Sequence, residues 1–331
     1  MKKIYRIGCV GLLNDAPLHV ALAKGWFEDQ GLQVELSREL GWAALTSKLA
    51  GGKLAAANVS ALFPLVSALQ RMPASSPPFQ VLGLTSLGGL ALTLSPEIDT
   101  LLKNKSKPTT PLRIGVESPR GDAHLIVRAW KNAIGLAAED TVLVPIAVSQ
   151  CVEAFREGYI QGFCAQEPYT SLAEEAGVGV TVACSHDYFP HHPRSGLAVT
   201  HAFMQINPEV CAGFKTVLQK ACAFCARPEN WAAVKTILLA EKRSFAPESA
   251  SILTEEATMP RHLFFQHPSG SPCALDPSGS DFLCKACLAT DPSWRESEVR
   301  AVLGAVYGNL VPAEPAAKPV ERRKVVSVAA A

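Results

Sequence analysis

The chain has almost no excess charge of either sign: 31 Lys and Arg stand against 30 Asp and Glu, a formal net charge of +1 over 331 residues. Without a basic stripe it lacks the electrostatic footprint of a phosphate-backbone binder. Aromatic residues, at 7%, are too few and too scattered for a base-stacking platform. No apolar run reaches the roughly 18 residues that a bilayer-spanning helix needs, so membrane insertion is not expected. Several enzyme signatures are also missing. There is no Gly-x-Ser-x-Gly elbow, P-loop or GxGxxG fingerprint, and none of the eight histidines falls in HxxxH or HExxH spacing. A catalytic role has no residues to rest on, and no cofactor is expected. The start of the chain does not read as an export signal either. Met1-Lys2-Lys3 imitates a charged n-region, but Arg6 interrupts it, the apolar stretch ends at Asn14, and no small-residue cleavage site precedes the first strand. The expectation is a cytosolic protein, periplasmic or membrane-associated only if a leader has been removed.

Cysteine, by contrast, is plentiful. Ten cysteines fit a reducing compartment, where unpaired thiols survive. Two CxxC pairs, Cys222–Cys225 and Cys284–Cys287, could together offer four thiolates to a structural zinc. The first pair lies inside Val210 to Leu239, which reads as helix with cysteine serving as a small apolar residue. Neither pair follows a strand at a helix start, as a redox motif would. Core packing is therefore the expectation for both, and no metal site is expected. His186, His191 and His192 read as loop histidines.

Strand and helix signals alternate along the chain. Ile7 to Leu13 is a short apolar run, followed by Asn14-Asp15-Ala16-Pro17, a capping residue with proline in the first turn, and then Leu18, Ala21, Leu22 and Trp26 at roughly helical spacing. Leu32, Val34 and Leu36 alternate with polar residues as in a half-buried strand, and Trp42 precedes a helix over Ala43–Ala50. A βαβ unit results, whose binding edge lies at the carboxyl ends of its strands. The plan recurs with strands at Phe79–Leu84, Leu90–Leu94, Leu112–Val116, Thr141–Ile146, Gly162–Ala165 and Gly177–Ala183. Gly88-Gly89 forms a tight turn, Pro96 ends the following strand, Ser149-Gln150 caps a helix to Glu157, and a helix runs from about Ala123 to Gly135. An anion could sit at the start of that last helix. The pattern predicts an α/β protein of two lobes with a hinge and an interlobe cleft. Residues 1–86 plus 190–310 form lobe I and 87–189 lobe II. Residues 311–331, rich in proline, have no apolar periodicity and read as a disordered tail.

Three stretches carry a family resemblance: Ile7 to Pro17 with Gly25-Trp-Phe-Glu-Asp-Gln-Gly31 and Ser37–Trp42; Gly162-Phe-Cys-Ala-Gln-Glu-Pro-Tyr169; and His192-Pro193. From about Ile7 to Leu310 the chain resembles the nitrate-, nitrite- and bicarbonate-binding proteins of ABC importers and their cytosolic nitrate-sensing relatives. The resemblance implies a periplasmic-binding-protein type II fold that closes on a small oxyanion, most directly nitrate or nitrite. It also implies a sensor whose partner is an RNA-binding antitermination regulator, or otherwise an importer component facing an ABC permease. A pyrimidine- or sulfonate-metabolism enzyme on the same fold is the reading from another class.

Carried over residue by residue, the resemblance makes Trp42 a pocket tryptophan whose indole can only donate. It places Gly89 at the turn, His124 beside a pocket-histidine position, and Gln150 and Glu167 at positions matching in type. Leu90 stands where relatives have a polar amide, Arg194-Ser195 where they have a lysine, and Ala55 and Asn58 where they have Asp and His. Arg194, or else Arg120, is expected to supply the missing cation, with a fork suited to a planar trigonal oxyanion.

Overall fold

The computed structural model describes residues 3–71, 76–117, 121–167, 169–241, 263–266 and 274–310. Arg120 and the segment 311–331 lie outside the described residues, as does most of the loop before Phe79. The strands, in chain order, are β1 Ile4–Cys9, β2 Gln33–Arg38, β3 Ala56–Ser60, β4 Phe79–Gly88, β5 Leu90–Leu94, β6 Leu112–Val116, β7 Thr141–Pro145, β8 Gly162–Gln166, β9 Val180–Cys184, β10 Pro193–Thr200 and β11 Leu263–Phe264.

They form two sheets, ordered β11-β4-β10-β3-β1-β2 and β7-β6-β8-β5-β9. In the first, β2, β1 and β3 are parallel, and β10 runs antiparallel to both β3 and β4. In the second, β7, β6 and β8 are parallel, and β5 runs antiparallel to β8 and β9. The chain passes from the first sheet to the second at Gly88-Gly89 and returns between Cys184 and Pro193. Both glycines have positive φ, +67° and +86°, a conformation that side chains resist. A β-carbon on Gly89 would also stand 3.0 Å from the Leu263 side chain. The two crossings touch: the Gly88 N–H donates to the His192 carbonyl at 2.8 Å.

Apolar packing does not stop at the lobe boundary. One buried cluster joins Leu12, Leu45 and Leu49 of the first lobe to Phe155, Ile160 and Phe163 of the second, and another joins Leu65 and Leu303 to Leu92 and Ile126. Nine cysteines are described, all buried, and none of the nine is in a disulfide. Both CxxC pairs lie within helices, Pro208–Cys225 and Pro277–Thr290. Burial raises the thiols of Cys225, Cys284 and Cys287, the last to about 12, so these three stay protonated near neutral pH and pack as apolar groups.

Four local expectations change. The helix expected over Val210–Leu239 is broken after Cys225, resuming at Trp231 beyond a turn holding Pro228, which cannot continue a helix. Pro96 does not merely end a strand. It opens a helix, Pro96–Lys103, whose Ile98 N–H is capped by the Ser95 hydroxyl. The helix expected to be capped by Ser149-Gln150 begins at Val148, with Ala147 as its N-cap. Asp15 precedes the helix Ala16–Ala23 without capping it, because its carboxylate turns back to accept from the Gly11 and Leu12 N–H groups.

Candidate functional site

The carboxyl ends of the parallel strands of both sheets face a common crevice, as expected for such sheets. Asn14 follows β1, Trp42 follows β2, Glu117 and Asp122 follow β6, and Gln166 and Glu167 end β8. Arg194 enters from the head of β10. Leu13, Asn14, Gly89, Gln166, Glu167, Arg194 and Leu263 line a cavity of about 10 Å³, room for about one water molecule.

Arg194 is 6% exposed and bridges the lobes. Its Nη1 donates to Asp122 Oδ2 at 2.6 Å, while Nε and Nη2 both donate to Gln166 Oε1, at 3.2 and 2.7 Å. Gln166 thereby turns its amide nitrogen the other way, and among the described residues that buried nitrogen has no hydrogen-bond partner. The Asn14 amide, 3% exposed, has no partner among them at either its nitrogen or its oxygen. Such groups normally cost about 1–3 kcal/mol each when left unsatisfied. Two of them, flanking a buried guanidinium, mark a place built to meet a polar solute.

Carboxylates surround this donor set. Asp122 is paired to Arg194. Glu167 accepts from the Ser171 hydroxyl and N–H at 2.9 and 3.3 Å, fixing the start of the helix Tyr169–Glu175. Glu117 keeps an exposed outer surface. Protein packed around its carboxyl raises it above the usual carboxylate range, opposed by the Arg194 charge and a hydrogen bond from Trp42.

The expected site residues separate into two groups. Arg194, Glu167 and Gly89 line the crevice. Trp42 opens the helix Trp42–Ala50 and is not among the residues lining the cavity, and its side chain bears on the Glu117 carboxyl. Gln150 is exposed in the first turn of the helix Val148–Arg156 and is not brought to the crevice. His124 turns away as well. It lines an outer groove of about 400 Å³ with Arg128, Lys131 and Leu143, none of which lines the crevice. Partial burial, helped by the charges of Arg128 and Lys131, holds its imidazole below the usual range. Asn14, Glu117, Asp122 and Gln166 were not among the expected site residues. Asn14 had read as a helix cap, and Gln166 sat inside the quoted Gly162–Tyr169 block.

A second buried polar cluster lies directly behind the first. Asp15 accepts from the Asn58 amide at 2.6 Å, Thr85 donates to the Asn58 carbonyl at 2.7 Å, and the Thr85–Ser195 and Ser195–Ser86 hydroxyls are each 2.6 Å apart. Since the Thr85 proton is spent on Asn58, Ser195 donates to Thr85 and Ser86 to Ser195. Asn58 and Ser195, two departures from the family pattern, are therefore members of one hydrogen-bonded chain across β3, β4 and β10.

The fold is that of the two-lobed periplasmic binding proteins. The chain belongs to the NMT1-like family, whose model matches residues 2–239. It is 31% identical over 69% of its length to the nitrate import ATP-binding protein NrtC of Synechococcus elongatus, and spans 36% of that relative. It is 24% identical to the bicarbonate-binding protein CmpA of the same species over 76% of this chain and 60% of the relative. The crystal structure of the periplasmic nitrate-binding protein NrtA from Synechocystis PCC 6803 superposes with a TM-score of 0.68 at 18% identity, covering 93% of this chain and 91% of that one. For the aliphatic sulphonate-binding protein SsuA from Escherichia coli the TM-score is 0.64 at 11% identity, covering 94% and 99%. These likenesses carry the periplasmic-binding-protein fold.

Proposed function

We propose that this chain recognises a small trigonal oxyanion, nitrate or nitrite first, by closing its lobes over the crevice at Arg194. The observation that carries the reading is the pair of buried amide nitrogens beside a buried guanidinium, those of Asn14 and Gln166, that have no hydrogen-bond partner among the described residues. Nitrate and nitrite need only donors, which Arg194, Gln166 and Asn14 supply. Bicarbonate is the second reading, favoured by the same Asn14 amide. Its oxygen is an acceptor with no partner among the described residues, and the single O–H of bicarbonate could fill it.

The names of the relatives, nitrate and bicarbonate import proteins, support recognition of a solute on behalf of an ABC import system. The cytosolic sensor with an RNA-binding regulator as partner rests on the family resemblance alone. Either role would use closure as its output, since a ligand shifts an equilibrium by its differential affinity for the two states. The test is calorimetric titration with nitrate, nitrite and bicarbonate at fixed ionic strength. Saturable binding that Arg194→Gln abolishes supports the reading, and heats identical in the two proteins reject it. Co-purification with an importer's membrane subunits, against co-purification with an RNA-binding regulator, separates the two roles.

A further inference from the structure

We propose that Asp122 is a built-in competitor for the anion fork of Arg194, so that a solute must displace a carboxylate of the protein itself before it binds. The inference rests on the oxyanion reading above and deepens it by naming what regulates the site.

Arg194 belongs to β10 in the first lobe, whereas Asp122 and Gln166 both belong to the second. The Arg194–Asp122 pair is therefore an interlobe contact, and its side chains are 7% and 22% exposed. Chemically, the Asp122 carboxylate is the same kind of partner as a trigonal oxyanion: planar, anionic, and accepting from a guanidinium. The cavity beside Arg194, of about 10 Å³, holds about one water, less than nitrate, nitrite or bicarbonate needs, so a solute enters only if groups around Arg194 move. Asp122 holds Nη1 while Gln166 holds Nε and Nη2, so a solute that takes the Nη1 edge of the guanidinium must displace Asp122.

Asp122 also has somewhere else to rest. It is the first residue of the helix Asp122–Ile134, and its other oxygen, Oδ1, already accepts from the Ala123 N–H at 2.9 Å. The helix N-terminus stabilises a carboxylate by itself. A small rotation could therefore release Arg194 while keeping Asp122 at that end. The reverse arrangement spares Arg194 the cost of a buried, uncompensated charge when the lobes close without solute. Apparent affinity then falls by the fraction of molecules whose fork is free. An Asp that merely oriented Arg194 for its solute would act in the opposite sense, since its loss would weaken binding.

Asp122→Asn decides between them. Nitrate, nitrite, bicarbonate and sulfate are titrated by calorimetry into the wild type, Asp122→Asn and Asp122→Glu at one ionic strength. Whichever ion binds the wild type is expected to bind Asp122→Asn about tenfold tighter or more, with Asp122→Glu close to wild type. Equal or weaker binding by Asp122→Asn overturns the proposal. A readout that needs no solute runs alongside. Small-angle scattering of the ion-free proteins should show a larger radius of gyration for Asp122→Asn, because an interlobe pair is gone. If no ion binds any variant, the oxyanion reading fails and the competitor with it, whereas ion binding by the wild type that Asp122→Asn does not tighten overturns the competitor alone. Should Asp122→Asn not fold, Asp122→Ser, which keeps a helix-starting acceptor, replaces it in both measurements.

Discussion

Two buried polar clusters sit one residue apart, and they are built to opposite ends. Asp15 and Ser195 belong to one, and their chain neighbours Asn14 and Arg194 to the other. In the rear cluster every polar side chain from Asp15 to Ser86 has a partner, and all five residues are 0–1% exposed. In the crevice Arg194 is held, but both amides beside it are left with unmet groups. A satisfied network rigidifies the sheet that carries it, whereas an unsatisfied one stores a cost that a ligand can remove. The difference teaches where this molecule places stability and where it places recognition.

Breaking the rear cluster should have the largest effect. Asp15→Ala strands three donors, the N–H groups of Gly11 and Leu12 and the Asn58 amide, and should cost about 3–5 kcal/mol, read by urea unfolding. Next comes the crevice cation. Arg194→Met should lower oxyanion affinity by about 100-fold, the ~2–3 kcal/mol of a lost charged hydrogen bond, while the titration of an unrelated surface dye stays unchanged.

A third difference is in pH. Burial lifts the Asp15 carboxyl from 3.8 to about 6. Its folded-state value lies above the unfolded one, so its contribution is complete below pH ~4 and is lost as the pH rises through about 6. The stability of the wild type relative to Asp15→Asn should fall across that window by on the order of 3 kcal/mol. His19 and His192, which burial pushes down to about 4, act in the opposite sense, and the comparison with Asp15→Asn cancels them. The smallest effect should be Asn14→Leu. Replacing an unsatisfied amide by an apolar side chain should raise stability by about 1 kcal/mol while weakening oxyanion binding, measured by unfolding and titration of the same sample. A loss of stability there would mean that the two clusters do not differ as described.

Much of the fold was legible in the chain because its signals are local. Alternation at Leu112, Ile114 and Val116 places β6, and consecutive glycines at 88 and 89 mark the crossing. The segments without such signals went unread: β3, β10 and the helix Leu62–Leu69. Their pattern is near-continuously apolar or interrupted by small residues, which periodicity cannot classify. The site was harder for a physical reason. Arg194 meets Asp122 and Gln166 across 72 and 28 residues, pairings that only the closing of two sheets creates. Asn14 and Asp15 carried a helix-cap signal that the buried Asn58 overrode by drawing Asp15 inward. His124 is in the expected helix but on its outer face, one position along the helix being enough to turn a side chain away from the crevice.

The most direct test of the account is a calorimetric titration of the wild type, Arg194→Gln and Asn14→Leu with nitrate, nitrite and bicarbonate at constant ionic strength. At least one ion should bind the wild type saturably, with binding lost in Arg194→Gln and weakened in Asn14→Leu. Undiminished binding in both variants would place the solute somewhere other than this crevice and contradict the account.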